Sequence, residues 1–258
     1  MQTIPREKKM FIPWRTAIIA ALALGIAASP EMTSILTATR ENWGQLWPVF
    51  TGHLCHWTGS HLFWDLIVFV IVGPLVEKSL GRAFLPWLGL ASVGIVAAVF
   101  LLMPDVRSYR GLSGIDTFLY TFAVLQIIRN AYPHIPYKMR GLSFLPLLLV
   151  VAKIGFELAT GETLFTGSLG DGVVPLPIAH AVGALMGLIG WLVWSTNHEP
   201  PPTSFASSTG STASETHSTR TARSPIEAGQ KGRRVPLGKG ERHHRDDFQF
   251  QKSDPTLS

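Results

Sequence analysis

One serine in this chain has the surroundings that a nucleophile needs. Ser113 lies between Gly111 and Gly114, where a polar loop turns into an apolar stretch. Glycine allows positive φ and lets another main chain approach closely, so the hydroxyl would be accessible. A serine that is activated by a neighbouring base can form a covalent intermediate with a substrate. The alternative is that Ser113 only caps the helix that begins here.

A histidine at the start of the last apolar stretch is the candidate base. His180 is followed by Gly183, Gly187 and Gly190. This spacing puts small residues on one helix face and lets a second helix approach closely. If that second helix is the one that contains Ser113, the two side chains meet. The alternative is that His180 is a structural residue with no part in chemistry.

Two further ionisable pairs have a spacing of four residues, which places each pair on one helix face. They are His61 with Asp65, and Lys153 with Glu157. Ionisable residues inside a membrane are costly and indicate function. Lys153 could pair with Glu157 on its own helix, or with Asp116 or Asp65 on another. Compatible depths below the outer surface favour Asp116.

The apolar residues are collected into runs, which predicts that this is an all-α membrane protein. Each run is close to the length of about 20 residues that crosses a hydrocarbon core. Charge is confined mainly to the gaps, which argues against a large soluble protein with buried helices. We therefore expect six transmembrane helices. The runs cover residues 17–28 (extendable back to residue 10), 62–76, 84–103, 112–128, 142–160 and 173–194.

The lysines and arginines predict the orientation, because cytoplasmic loops carry an excess of both. With the N-terminus inside, nine would lie on the inner side and three on the outer side. The inner set is Arg6, Lys8, Lys9, Arg15, Lys78, Arg82, Arg129, Lys138 and Arg140, and the outer set is Arg40, Arg107 and Arg110. We therefore expect both termini in the cytoplasm.

The N-terminal part of the chain resembles a cleavable secretory signal, and the C-terminal part resembles a polar tail. Basic residues, an apolar run and a small-residue site near residue 28 imitate a secretory signal, but an uncleaved first helix is favoured. Residues 1–196 would form the membrane domain. Residues 197–258 are rich in Pro, Ser, Thr, Gly and charge, and predict a disordered basic cytoplasmic tail. The Gly- and Pro-rich segment 161–177 is the candidate for a mobile gate.

The remaining composition gives little reason to expect a cofactor. His53, His56 and His61 lie within nine residues, but no carboxylate or second cysteine completes an obvious metal set. Cys55 is the single cysteine, so an intrachain disulfide is excluded. The net charge of +5 would attract anionic membrane lipids, and a nucleic-acid partner is not needed to explain it.

Taken together, these motifs resemble those of rhomboid intramembrane serine proteases, and most closely the rhombosortase-like branch. The resemblance covers roughly residues 43–194 and depends on the order and helical placement of several short motifs. These are His56 and His61 with Asp65, Gly73 with the Glu77-Lys78-Ser79-Leu80-Gly81 turn, Gly111-Leu112-Ser113-Gly114, and His180 with Gly183 and Gly187. Within the turn, Gly81 is expected to be the C-cap of the helix that precedes it.

The resemblance implies a six-helix bundle with a Ser113–His180 dyad and no third acid. It also implies that His61 and the Ser113 backbone N–H form an oxyanion hole, with Gly111, Gly114 and His56 in support. The substrates would be transmembrane or C-terminally anchored proteins, cut near the outer end of a transmembrane segment, in the bacterial inner (plasma) membrane.

Two other functions remain open at this point. One is a non-catalytic rhomboid-like protein that binds transmembrane helices. The other is a transporter or proton relay that uses the intramembrane charges Asp65, Asp116, Lys153 and Glu157. No internal repeat or broken-helix pair supports the transporter.

The chain departs from the family pattern at four positions. Asp65 stands where an asparagine is general, and Pro48 follows Trp47 where an arginine is common. Thr117 stands where many members have a tyrosine that stacks on the catalytic histidine, so His180 must be oriented by something else. Asp116 is an additional acid near the nucleophile.

The acid at position 65 creates a specific difficulty, because a carboxylate beside an oxyanion would repel it. Asp65 would have to be protonated and donate a hydrogen bond, or ionised and turned away to hold His61. The four-residue spacing of the pair favours the second arrangement.

Overall fold

The computed structural model describes residues 10–162 and 175–198 and is mainly helical. Residues 1–9, most of the expected gate segment 161–177, and the expected tail beyond His198 lie outside the described residues. Short 3₁₀ turns cover Gly52–Leu54, Gly81–Ala83, Tyr132–His134 and Tyr137–Phe144. The other elements are α1 (Trp14–Ala27), α2 (Pro30–Leu36), β1 (Ala38–Thr39), α3 (Leu46–Thr51), α4 (Gly59–Leu80), α5 (Phe84–Leu102), β2 (Ser108–Tyr109), α6 (Ser113–Ala131), α7 (Leu145–Thr160) and α8 (Pro177–Thr196).

Helices α1 and α4 to α8 coincide with the six apolar runs of the sequence. Within the described residues, three helical segments are long and apolar enough to cross a membrane: Gly59–Leu102, Tyr137–Thr160 and Pro177–Thr196. The count rises to four if α1 and α2, which are bent by 115° relative to each other, form one span. These segments are those of a membrane protein, but fewer of them meet the length and hydropathy criteria than the six expected.

The turn between α4 and α5 shows why the two helices separate. Gly81 has φ +53°, and its N–H donates to the carbonyl of Glu77, which makes it the predicted C-cap of α4. A residue with a side chain rarely adopts this conformation, whereas glycine does so readily. At its far end α5 stops at Leu102, two residues before Pro104, because proline restricts the residue before it to extended conformations.

Helix α6 is the centre of the fold, and α8 packs directly against its backbone. A Cβ added at Gly183 would lie 2.1 Å from the carbonyl oxygen of Gly114, and one added at Gly187 would lie 2.5 Å from that of Phe118. Only glycine permits so close an approach. The small-residue face of the last run therefore packs where the sequence suggested, on the helix that begins at Ser113.

Helix α1 is held on α4 by a buried carboxylate. Glu77 is fully buried and accepts hydrogen bonds from the backbone N–H groups of Arg15 at 3.2 Å and Thr16 at 2.9 Å. The Thr16 hydroxyl donates to it as well, at 2.7 Å. The first N–H groups of a helix have no acceptor within that helix, and a carboxylate is favoured at that end. The sequence had placed Glu77 only in a turn.

Helix α7 is peripheral, and its apolar surface is largely uncovered. Leu148, Val151 and Leu158 are 61% to 68% exposed, and Glu157 is the buried residue of this fully described helix. A helix that exposes its apolar side chains and buries its acid reverses the pattern of a soluble protein. This arrangement fits a helix that faces lipid.

Candidate active site

The serine of the glycine motif is the first residue of α6. The N-cap position is occupied by Leu112, whose side chain has no capping group, so the interpretation of Ser113 as a helix cap is not supported. Ser113 is half-buried and lines a cavity of about 800 Å³. Because Ser113 is at the first helical position, its N–H has no acceptor within the helix.

Gly111 is required by both its conformation and its surroundings. It has φ +126°, a region that residues with side chains rarely adopt. A Cβ at this position would lie 2.8 Å from Cε1 and 2.9 Å from Nε2 of His61. The glycine two residues before the serine therefore lets the chain pass directly over an imidazole ring.

Several hydrogen bonds fix the loop that presents Ser113. Strand β2 pairs with β1 through Tyr109, whose hydroxyl donates to the carbonyl of Gly111 at 3.1 Å. The N–H of Gly111 donates to Gly52 at 3.2 Å, and the N–H of Leu112 donates to Asp65 Oδ2 at 2.9 Å. The backbone on the N-terminal side of the serine is thus held in place by the rest of the fold.

Asp65 is the buried acceptor at the centre of this region. Its Oδ2 lies 3.2 Å from His56 Nε2 and 3.3 Å from His61 Nε2, and it also accepts from Leu112. Nitrogen donors that converge on one carboxyl oxygen favour the ionised form. Of the two arrangements considered for this acid, the geometry favours the ionised one that holds His61 in orientation.

His61 lines the same cavity but is turned towards Asp65 through Nε2. Its Nδ1 is buried and has no hydrogen-bond partner among the described residues. If His61 contributes to an oxyanion hole in this orientation, Nδ1 is the nitrogen that has to donate. His56 packs edge-on against the ring, with the ring centroids 5.1 Å apart.

His180 is fixed by an acid that the family resemblance does not include. Its Nδ1 lies 2.6 Å from Glu157 Oε2, and both side chains are buried. A carboxylate and a ring nitrogen this close need a proton between them, so Nδ1 carries the proton and Nε2 is left as the basic nitrogen. Lys153 Nζ donates to the other carboxylate oxygen at 2.5 Å.

This cluster differs in two ways from what the sequence predicted. No acid was expected beside His180, whereas Glu157 accepts a hydrogen bond from it. The pairing of Lys153 with Asp116 is wrong, because Lys153 pairs with Glu157 one turn along the same helix. Lys153 Nζ lies 3.1 Å from His180 Nδ1 as well, but a protonated Nδ1 cannot accept from it.

Helix packing brings Ser113 and His180 to the same cavity. Their neighbours Gly114 and Ala179 are in contact, since a Cβ at Gly114 would lie 3.2 Å from the carbonyl oxygen of Ala179. Both side chains line the cavity, together with Glu157. No hydrogen bond joins Ser113 to His180 in the described part of the chain, and catalytic hydrogen bonds are often loose without substrate.

Comparison with models of protein families gives no match for this chain, and comparison with curated proteins gives none either.

Asp116 also lines the cavity, one turn after Ser113. It is buried, and neither of its carboxyl oxygens has a hydrogen-bond partner within residues 10–162 and 175–198. The sequence identified Asp116 as an additional acid near the nucleophile, but it suggested a lysine partner that the structure assigns elsewhere.

Three histidines lie near the start of α4. Within the described ranges, no group of three or more His, Cys, Asp or Glu side chains could hold a metal ion. His53 has hydrogen-bond partners of its own. Its ring contacts the Tyr109 hydroxyl at 3.1 Å and the Ser92 carbonyl at 3.4 Å, and burial lowers the pKa of His53 to about 4.

Sequence reasoning missed two contributors to the site. Glu157 was not considered as a partner for His180, although it lies three residues before the end of α7 and His180 lies three residues after the start of α8. An acid and a histidine near the same membrane surface are a signal that could have paired them. Tyr109, which ties the nucleophile loop to His53, had no signal in the sequence.

Proposed function

We propose that this chain is an intramembrane serine protease of the rhomboid type, which cuts membrane-anchored proteins near the outer end of a transmembrane segment. The observation that carries the proposal is the shared cavity. It is lined by Ser113, whose backbone is preset by Gly111, and by His180, whose Nδ1 is held by a carboxylate.

In the first step, His180 Nε2 removes the proton from Ser113 Oγ while Oγ forms a bond to the substrate carbonyl carbon. The ring then carries a positive charge, which the Glu157 carboxylate stabilises through Nδ1. This hydrogen bond also explains why position 117 can be a threonine, where many rhomboids have a tyrosine that stacks on the catalytic histidine. The hydrogen bond to Glu157 orients His180, so ring stacking is not needed.

The negative charge that develops on the carbonyl oxygen is stabilised at the N-terminus of α6. The Ser113 N–H is free of the helix ladder, and the helix dipole favours an anion at this end. His61, held by Asp65 one turn along α4, supplies the second donor through Nδ1, which requires the ring to carry a proton on both nitrogens. Loss of one donor of this kind costs about 10²- to 10³-fold in kcat.

The first half of the reaction ends when the scissile C–N bond breaks. His180 returns its proton to the leaving amine, and the substrate acyl group stays on Ser113. A water molecule then attacks the acyl-enzyme, with His180 Nε2 again accepting a proton, and releases the carboxylic acid. By resemblance to rhombosortases, the products are exported proteins that have lost a C-terminal sorting anchor.

The proposal includes six membrane spans with both termini in the cytoplasm of a bacterium. The 44-residue segment Gly59–Leu102 would be about 66 Å long if straight, roughly twice the thickness of a hydrocarbon core, so α4 and α5 each cross once. The excess of lysine and arginine in the inner loops puts Ser113 and His180 at the outer side. A substrate helix reaches them from the lipid past α7.

The test is cleavage of a single-span substrate by the purified full chain in lipid vesicles. Ser113→Ala and His180→Ala should each abolish cleavage while the protein still inserts. Ser60→Ala and Ser143→Ala are matched controls and should cleave normally. If the wild type binds the substrate helix but never cuts it, the chain is a non-catalytic binder of transmembrane helices.

A further inference from the structure

Asp116 differs from every other acid that lines the active-site cavity. Asp65 lies within ion-pair distance of His56 and His61. Glu157 lies within ion-pair distance of Lys153 and His180. Asp116 is only 5% exposed, yet both of its oxygens lack a partner within the described residues.

Within the described residues, neither the lysine nor the arginine that lines the cavity forms an ion pair with Asp116. Lys153 pairs with Glu157 at 2.5 Å, and the Arg110 guanidinium stacks over the Trp57 ring at 4.3 Å. A buried, ionised carboxyl group without a partner is strongly unfavourable unless something else satisfies it. Because Asp116 lines a cavity, that partner can be a ligand that enters the cavity.

We propose that Asp116 forms the acidic end of a subsite that binds a lysine or arginine side chain of the substrate, on the residue whose carbonyl Ser113 attacks. This inference depends on the proposed protease function. The subsite would make the enzyme select a basic residue immediately before the scissile bond.

The dimensions of α6 fit this assignment. Asp116 lies three residues after Ser113, which is about 4.5 Å along the helix axis, and residues at this spacing share a face. A side chain attached beside the attacked carbonyl therefore runs along α6 towards the carboxyl group. The flexible stem of lysine can lie against apolar lining such as Ile67 and Val68 while its ammonium reaches the acid.

The test compares single-span substrates that differ only in the residue before the scissile bond, cut by the full chain in lipid vesicles. Lysine and methionine are the central pair, since both are long and unbranched and only lysine is charged. We expect kcat/KM of the wild type to be at least about tenfold higher for lysine, the effect of one hydrogen bond to a charged group. Glutamate should be cut most slowly.

The variant Asp116→Asn should lose this discrimination, so that the ratio of kcat/KM for lysine to kcat/KM for methionine falls to about one. Asp116→Glu should keep the preference for lysine. Tyr120→Phe is the matched control, because Tyr120 lines the same cavity one turn further along α6 and carries no acid. It should leave the ratio of lysine to methionine unchanged.

The outcomes separate this inference from the function that it depends on. A wild-type enzyme that cuts methionine as well as lysine overturns the subsite even if no variant folds. An unchanged ratio in Asp116→Asn does the same. In either case the protease stands as long as Ser113 is needed for cleavage, whereas cleavage that does not need Ser113 overturns both.

Discussion

Replacing Glu157 by glutamine tests how His180 is kept ready to accept a proton. Glu157 Oε2 lies 2.6 Å from His180 Nδ1, and Oε1 lies 2.5 Å from Lys153 Nζ. Glutamine keeps the shape, removes the charge and brings an amide N–H that can donate to Nδ1. A ring that accepts at Nδ1 carries its proton on Nε2 and cannot take the proton of Ser113.

The expected loss has two parts. A hydrogen bond to a charged group contributes about 1.5–3 kcal/mol, which corresponds to about 10- to 150-fold in rate. The inverted tautomer of His180 increases the loss further. In a serine protease triad, an acid-to-amide change lowers kcat by about 10⁴-fold in total. We therefore expect Glu157→Gln to lower kcat by about 10²- to 10⁴-fold with little change in KM. Glu157→Asp should lose much less.

The assay is steady-state cleavage in lipid vesicles, with kcat and KM determined separately and thermal stability measured alongside. Glu157→Gln leaves Lys153 unpaired, so adding Lys153→Met should recover stability without recovering kcat. Glu162→Gln changes an exposed acid beyond α7 and should behave as wild type. A kcat for Glu157→Gln within about threefold of wild type would show that Glu157 does not position His180.

Three further predictions concern the surroundings of the site. Asp65→Asn should lower kcat, and adding His61→Ala should cost little more because the two act as a unit; fully additive losses in kinetic assays would contradict this. Gly183→Ala should lower both Tm and activity, because its Cβ would lie 2.1 Å from a backbone oxygen of α6. Gly155→Ala is the control and should change neither, because a Cβ at Gly155 would have no atom within 4 Å. His53 has a pKa of about 4 in the folded state and about 6.5 when unfolded. Below pH 6.5 the unfolded chain therefore binds a proton at His53 that the folded chain does not. The free energy of unfolding should fall by about 1.4 kcal/mol for each pH unit as the pH is lowered from 6.5 to 4. Thermal unfolding of His53→Gln over this range should show a smaller slope than wild type, and an equal slope would contradict the assignment.

The sequence predicted most of the helical framework, because a long run of apolar residues indicates a membrane helix. The run at 84–103 became α5, and the glycines after His180 located the α6–α8 contact. Gly111 and Gly81 were identified because each needs a backbone conformation that few other residues adopt.

The partners of buried charges could not be predicted in the same way. The spacing of Lys153 and Glu157 shows that they share a face, but not which other helix that face meets. Whether α7 turns Glu157 towards His180 depends on side-chain packing between helices. Glu77 was missed for the same reason, because its partners are the first N–H groups of α1, 61 and 62 residues away.

Covalent labelling of Ser113 tests the central claim most directly. The purified chain in lipid vesicles is treated with a fluorophosphonate, digested, and examined by mass spectrometry for the modified residue. The account predicts one adduct, on Ser113, which is absent in Ser113→Ala and strongly reduced in His180→Ala because the hydroxyl is then not activated. Labelling that spares Ser113, or equal labelling in His180→Ala, would contradict it.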